Sequence, residues 1–400
     1  MDNVGYIDSA LIRKTVRDLC IRANTVLPDD VLCAIGKSRE AEGDTLAGDV
    51  MDMLLDNAAL AADQGVPICQ DTGLAHVFLD LGQDIVIRGD LNKAVAEGVA
   101  LGYTQGFLRK SVVRDPLFDR VNTGDNAPPV IHVEIVSGSD LTVTVMPKGT
   151  GSENMSAVAM LTPAAGPPGV KRFVLDTVRK AGANACPPMV VGVGVGGMMD
   201  KATYLAKRAL LREIGRPNPD EEVAAFEADL LEEINRMGIG PAGLGGLTTA
   251  LWVAVETYPT HIGALPVAVN LQCHAARRAT AVLRSTGEET CGKADAKSGT
   301  EPCTDSHGGT GREPSGKPRE QPCAESCKEP GEECHGETDA GVPLPSVGSR
   351  RARSCGVGSD DTARVGETGT MELRESGKRA VEVEAVEAGA DREAGVGHAG

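Results

Sequence analysis

The chain has 400 residues, 41% of them hydrophobic and only 2% aromatic, and carries a formal net charge of −17. That acidity leaves no basic field for nucleic-acid binding, and no apolar run is long enough to cross a bilayer. All five Phe, all four Tyr and the single Trp precede Ser285, and the 116 residues from there onward hold 20 Gly and 7 Pro but only 11 Val, Leu, Ile or Met. Such a stretch cannot bury enough apolar surface to offset its ordering entropy. The sequence therefore reads as one globular unit, residues 1–284, followed by an acidic, low-complexity, disordered tail, residues 285–400.

The opening Met1-Asp-Asn-Val-Gly lacks a basic region followed by an apolar stretch. No secretion signal is evident, and the expected compartment is the reducing cytoplasm. Of eleven cysteines, Cys20, Cys33, Cys69, Cys186 and Cys273 fall in the body and six in the tail. In that compartment they read as buried thiols, or as metal or catalytic groups, rather than as disulfides.

In chain order, residues 8–63 are predicted to be largely helical. Leu11, Val16, Leu19 and Cys20 mark one amphipathic segment, and Leu46, Val50, Met51 and Leu54 mark another. Gly65-Val-Pro67 breaks the pattern. Short strands follow over 76–81 and 84–88, and Asp90 is placed to cap a helix from residue 91 to about 108. Residues 115–129, with three prolines, read as a loop. Two β-branched runs, 130–135 and 141–146, flank a Ser-Gly-Ser-Asp turn and predict a hairpin. A glycine-containing loop spans 148–154. Helices are predicted over 168–182, 199–214 and 219–236, with a buried strand over 189–195. Gly238 to Gly246 is a glycine-rich loop, 249–257 and 262–271 are apolar segments, and a short helix is predicted after Cys273. Strands and helices mix without strict alternation, so α/β and α+β both fit.

Four constellations could carry chemistry. Pro67-Ile-Cys-Gln-Asp-Thr-Gly73 sets a thiol, an amide and a carboxylate on a tight turn, although a solvated turn with an incidental thiol fits as well. Ala185-Cys-Pro-Pro188 holds a thiol on a stiff loop, or simply a buried cysteine at a strand entrance. Gly192-Val-Gly-Val-Gly-Gly197 matches a dinucleotide fingerprint, but no acid-tipped second strand follows, and close packing of a helix on a strand explains it better. Thr260-His261 and Gln272-Cys-His274, with Arg277 and Arg278, offer an imidazole, a thiol and cations that suit a carboxylate or a helix end. Cys69, Cys186 and Cys273 lie 117 and 87 residues apart, unlike a local zinc motif, so they could meet only through the fold. An iron–sulfur cluster is one possibility among several.

Taken together and in order, these motifs resemble the class I (iron–sulfur) fumarate hydratases. The match runs through Pro67-Ile-Cys-Gln-Asp-Thr-Gly73, Lys148-Gly-Thr-Gly-Ser-Glu-Asn-Met-Ser156, Leu161-Thr-Pro-Ala164 and Ala185-Cys-Pro-Pro-Met-Val-Val-Gly-Val-Gly194. It continues through Gly238-Ile-Gly-Pro-Ala-Gly-Leu-Gly-Gly246, Thr260-His-Ile262 and Gln272-Cys-His-Ala275. It covers nearly all of residues 1–284 and is nearest to the α subunit of the two-chain form.

The resemblance implies that Cys69, Cys186 and Cys273 ligate a [4Fe–4S] cluster with one iron left open. It implies that Gln70, Asp71 and His261 lie near the substrate, that Arg109 clamps a substrate carboxylate, and that the backbone at Gly149 and Gly151 contacts it. Thr150 departs from the family's more usual glycine and narrows that loop. The implied activity is the hydro-lyase step of the tricarboxylic acid cycle that hydrates fumarate to L-malate. No residue here is assigned as the catalytic base. The base and further cations belong to a separate β subunit, without which this chain is expected to be inactive. The closest alternative is the α subunit of L-tartrate dehydratase, although Ser152-Glu-Asn-Met-Ser156 and Gln272-Cys-His-Ala275 look more like fumarase. A nucleotide-binding or purely structural iron–sulfur protein is the alternative of another class. The tail tract Cys323-x3-Cys327-x6-Cys334-His335 reads as flexible thiols rather than a metal site.

Overall fold

Short-range caps set the helical part of the chain. In the computed structural model, which describes residues 5–285, strand β1 (Gly5–Asp8) runs into α1 (Ser9–Thr25), and the Asp8 carboxylate accepts from Ala10 N at 2.7 Å. Helices α2 (Asp29–Glu42) and α3 (Leu46–Gln64) follow, the second begun by Thr45 Oγ1, which accepts from Gly48 N at 3.1 Å. The predicted helical stretch is thus three helices. Next come β2 (Leu74–Gly82), β3 (Ile85–Arg88) and α4 (Leu91–Gln105), with Asp90 capping Lys93 N at 2.9 Å as predicted. The chain continues through β4 (Val130–Val136), β5 (Asp140–Lys148), the single turn α5 (Thr150–Glu153), β6 (Ala157–Leu161) and α6 (Gly166–Ala181). It then forms β7 (Met189–Gly196), α7 (Met199–Ala209), α8 (Glu221–Asn235), β8 (Ala250–Tyr258), β9 (Leu265–Gln272) and β10 (Ala279–Arg284). Helices and strands are mixed in one globular unit, in line with the predicted class. The predicted tail and its six cysteines lie outside the described residues.

The strands form two four-stranded sheets, ordered β10-β5-β2-β4 and β6-β9-β7-β8, beside a parallel β1-β3 pair. Two expectations fail here. The β4 and β5 runs do not make a hairpin, because β2 lies between them, parallel to β4 and antiparallel to β5. Strand β2 is buried from Ala75 to Leu79 and so takes a central place, which a solvent-edged hairpin would have denied it. The short helix after Cys273 is instead β10, which pairs with β5 from Ala279↔Val145 to Arg284↔Asp140. Its Ala279 and Leu283 are buried in the first core. The chain therefore leaves the first sheet after β5, builds the whole second sheet, and returns to a strand paired with β5.

Each sheet buries one face against helices. Ile12, Val16 and Leu19 of α1 and Val95 and Val99 of α4 cover Val77, Leu79, Val143 and Val145. Val170, Val174 and Val178 of α6 and Leu230 and Ile234 of α8 cover Val191, Val193, Val253 and Val267. Each fully buried side chain of this size contributes about 1.5–3 kcal/mol over exposure. On the opposite face of the second sheet α7 lies flush on β7. A Cβ at Gly192 would stand 2.1 Å from Ala206 O, and one at Gly194 would stand 2.1 Å from Ala202 O. The glycine run serves close helix–strand packing, as the sequence favoured over dinucleotide binding. Between the sheets, Val31 and Ile35 of α2 and Met51 and Ala58 of α3 pack with Phe78, Met146, Val190 and Leu251. No helix of the described residues is long and apolar enough to cross a membrane.

Candidate functional site

The three predicted cluster cysteines sit where the two sheets meet. Cys69 lies on the turn between α3 and β2. That turn is tied down by Ile68 N donating to Asn24 O at 2.9 Å and Asn57 Nδ2 donating to Ile68 O at 2.9 Å. The buried Tyr103 hydroxyl donates to Thr72 O at 2.8 Å and Gly73 O at 3.0 Å. Gly73 has φ 72, and a Cβ there would strike the Lys148 backbone at 2.7 Å, so glycine lets the turn lie against the end of β5. Cys186 precedes β7 with φ 53 and ψ 64, a left-handed conformation that costs a non-glycine residue about 1–3 kcal/mol and tends to mark functional positions. Its carbonyl accepts from His274 N at 3.2 Å and faces His274 Nδ1 at 3.2 Å, which fastens the Cys186 loop to the segment of Cys273. Partial burial pushes the Cys186 thiol up, and the charges of Cys273 and Cys69 push it further.

Asp71 organises the loop after β5. Its Oδ2 accepts from Thr150 N at 2.8 Å and Thr150 Oγ1 at 3.2 Å, and its Oδ1 accepts from Gly73 N at 3.0 Å. Thr150, which the sequence marks as narrowing this loop, thus supplies a hydroxyl that fixes Asp71. At Gly149 a Cβ would stand 3.3 Å from Asp71 Oδ2 and 3.5 Å from Arg277 Nη2, so the glycine leaves a gap between a carboxylate and a guanidinium. Gly151 is exposed on the same single turn. Gln70 is exposed beside Cys69. Arg109 is also exposed, and its carbonyl accepts from Thr72 Oγ1 at 3.0 Å, which brings it next to the cysteine turn.

His261 is not brought to this place within one chain. It lies between β8 and β9, at the end of the sheet where Val195 pairs with Val267 and Gly196 with Tyr258. Cys186 and Cys273 lie at the other end, where Val190 pairs with Gln272. The intervening run of β7 spans about 20 Å at ~3.3 Å per residue. There His261 lines an apolar groove of about 520 Å³ with Pro163, Val170, Phe226 and Ile262.

A second polar group, not singled out as side chains in the sequence, lies under the loop. Lys148 Nζ is buried and donates to Ser152 Oγ at 2.9 Å and to Glu153 Oε2 at 3.2 Å. Glu153 also binds Lys207 from α7 and accepts from Asn270 Nδ2 at 3.0 Å. Burial outweighs the Glu153 and Cys273 charges at Lys148 and lowers its ammonium to about 8. At Glu153 burial acts upward, but Lys148, Lys207 and the Asn270 hydrogen bond overcome it and hold the carboxyl at about 2. The Lys148 and Glu153 spacing lies in plain view in Lys148-Gly-Thr-Gly-Ser-Glu153, whereas Lys207 and Asn270 reach it only through the fold.

Behind this group His76 stacks on His132, with ring centroids 5.7 Å apart. Burial, aided by the charge of Lys207, pushes the His76 imidazole down to about 3. An unfolded histidine takes up its proton near pH 6.5. Between pH 6.5 and 3 the unfolded chain therefore binds a proton that the folded chain does not, and stability falls with falling pH by up to about 1.4 kcal/mol per pH unit. His76→Phe is expected to flatten that slope. Urea unfolding at pH 6.5 and 4.5 measures it, and identical slopes in the two proteins would rule out His76 as the source.

Among the described residues no group of three or more His, Cys, Asp or Glu side chains is close enough to hold a metal ion. A cubane cluster does not ask for that, because each thiolate binds a separate iron. The surroundings suit a bound anion. Lys148 and Arg277 are buried cations, and Arg277 donates through Nη1 to Asn24 Oδ1 at 3.1 Å while its buried Nε has no acceptor. Three thiols, two buried cations and an unmatched donor fit a thiolate-bound, negatively charged group.

Known proteins carry the same pattern. A sequence profile of the fumarate hydratase (fumerase) family matches residues 13–282. A Methanocaldococcus jannaschii relative, provisionally named an L(+)-tartrate dehydratase α subunit, is 40% identical over 274 residues, 67% of this chain and 96% of its own length. The L(+)-tartrate dehydratase α subunit of Escherichia coli O157:H7 is 32% identical over 278 residues, 68% of this chain and 91% of its own length. That of the UTI89 strain is 33% identical over 273 residues, 67% of this chain and 89% of its own length. With cysteine turns, glycine loop and sheet junction all inside the matched span, the chain belongs to the fumarate hydratase family of hydro-lyases.

Proposed function

We propose that the chain is the cluster-bearing α subunit of a [4Fe–4S] hydro-lyase that interconverts fumarate and L-malate together with a separate β subunit. The observation that carries this reading is geometric: the Cys186 carbonyl is bonded to His274 beside Cys273, and the buried Lys148 abuts the turn of Cys69, although the three cysteines are 117 and 87 residues apart. Cys69, Cys186 and Cys273 would hold the cluster, which would supply Lewis-acid chemistry toward a substrate hydroxyl and carboxylate. Arg109, exposed beside the Cys69 turn, pairs with a substrate carboxylate in two parallel hydrogen bonds. Asp71 and Gln70 face the substrate from that turn. Asp71 keeps the Gly149 to Gly151 backbone in place through its bonds to Thr150. The proton on the neighbouring carbon needs a base, which this reading assigns to the β subunit, as it does further carboxylate-binding cations. The α chain alone is then inactive. The enzyme unit is residues 1–284, working in the cytoplasm, and residues 285–400 add nothing to the chemistry.

L-tartrate is the second reading, favoured by the names of the relatives. L-malate and L-tartrate differ by one hydroxyl on the second of the two central carbons, and a site built to hydrogen-bond that group discriminates strongly against the substrate that lacks it. Co-expression with the β subunit, purification without oxygen, and assay of fumarate against L-tartrate distinguish them. Turnover of fumarate is the expected result. Turnover of L-tartrate alone transfers the assignment to that substrate, and activity on neither with an intact cluster overturns the dehydratase reading.

A further inference from the structure

The group around Lys148 does not balance its own charge. Lys148 and Lys207 share a single carboxylate, Glu153, and among the described residues neither lysine has a second acidic partner within ion-pair distance. All three are at least half buried: the Lys148 side chain is 1% exposed, Lys207 11% and Glu153 35%. The neighbouring His76 and His132 imidazoles are driven toward their neutral forms, first by burial and then by the Lys207 charge, so they leave the charge of the group unchanged. One positive charge is left over in a region where an unpaired charge is costly.

The surplus lies among the segments that carry the thiols. The Lys148 backbone abuts Gly73, four residues beyond Cys69. Through Glu153 the lysine is bound to Asn270, three residues before Cys273, and Leu271 N donates to Ser156 Oγ at 3.1 Å on the same loop. The Cys273 charge also acts directly on the Lys148 ammonium.

We propose that the Lys148–Glu153–Lys207 triad is a built-in countercharge for the thiolate-bound group and sets its one-electron reduction potential. The inference rests on the cluster reading above. A buried cation favours the electron-rich form of a nearby centre, and a buried carboxylate opposes it, with little screening by solvent. Net charge around a cluster is one of the protein's levers on its potential. Lys148 also donates to the Gly149 carbonyl at 3.4 Å, so the residue that supplies the charge braces the glycine loop as well.

The test is a redox titration of the α–β complex, followed by electron paramagnetic resonance, in wild type, Lys148→Met, Glu153→Gln and Ser152→Ala. Lys148→Met is expected to move the potential negative by about tenfold in the one-electron equilibrium, 59 mV. Glu153→Gln is expected to move it positive. Ser152→Ala removes a hydrogen bond but no charge and is expected to leave the potential in place. A merely structural role would not reverse sign between the lysine and glutamate variants. Unchanged potentials, or shifts of the same sign, overturn the inference. If Lys148→Met cannot hold the cluster, the sign of the Glu153→Gln shift decides alone. A wild-type complex without any cluster refutes the cofactor assignment, whereas an intact cluster with an unmoved potential sinks only the countercharge.

Discussion

Serine at position 69, 186 or 273 is expected to abolish the visible absorbance of the reconstituted cluster, with each variant losing most of the signal. A serine hydroxyl stays protonated where a thiol ionises, so the replacement leaves one iron without an anionic ligand. The segments offer no substitute. The Cys69 turn is pinned by Tyr103 and Asn57, and the Cys186 loop is bonded to His274, so no neighbouring thiol can move into the gap. Cys20→Ser and Cys33→Ser provide the contrast. Cys20 is fully buried in the α1–α4 core, where burial pushes its thiol up, and Cys33 is half-buried on α2. Both variants should keep the cluster. Full absorbance in any of the first three would refute the ligand assignment.

Glu227→Ala is expected to be the most destabilising substitution far from the cysteines. Glu227 is 3% exposed, accepts from Val255 N at 2.7 Å and Asn218 N at 3.0 Å, and pairs with Arg212. Arg212 in turn donates to Val255 O at 2.7 Å and pairs with Glu256. Removing the carboxylate strands two backbone donors and leaves a partly buried guanidinium short of a partner. Breaking a buried pair from one side costs about 3–5 kcal/mol. For a chain of this size that corresponds to a midpoint lower by roughly 10 °C. Calorimetry on the purified chain measures it, and a loss below about 2 °C would mean that the α8–β8 junction rearranges around the missing group. Glu227→Gln, which keeps an acceptor for Val255 N, should recover part of the loss.

Local chemistry in the sequence foretold local structure well. Asp90 caps α4 where a side-chain acceptor precedes an apolar-periodic run. The glycine run of β7 packs a helix closely. The failures concern pairing between distant segments. The β4 and β5 runs look like a hairpin because only a short turn divides them, yet β2 enters between them on the strength of its own burial. The segment after Cys273 reads as a short helix until β5 is available as an antiparallel partner for residues 279–284. The same division holds at the site. Cys69, Asp71 and the glycine loop are visible in motifs, whereas Lys207 and Asn270 join Glu153 across 54 and 117 residues. The motif resemblance links His261 to the substrate, but one chain's sheet separates it from the cysteines. Nothing in a linear motif encodes that separation.

The path of the chain between the sheets has a further consequence. Residues 149–278 depart from β5 and come back beside it, since β10 pairs with β5 along its length. The backbone thus crosses between the two sheets at two adjacent strands, alongside the core they share. Lys148, Asp71's loop partners and Cys273 occupy those two crossings, and Cys69 stands next to them. A group gripped there would be held by both sheets at once, like a pin through a joint. Closing the sheet junction and capturing that group would then be a single event rather than two.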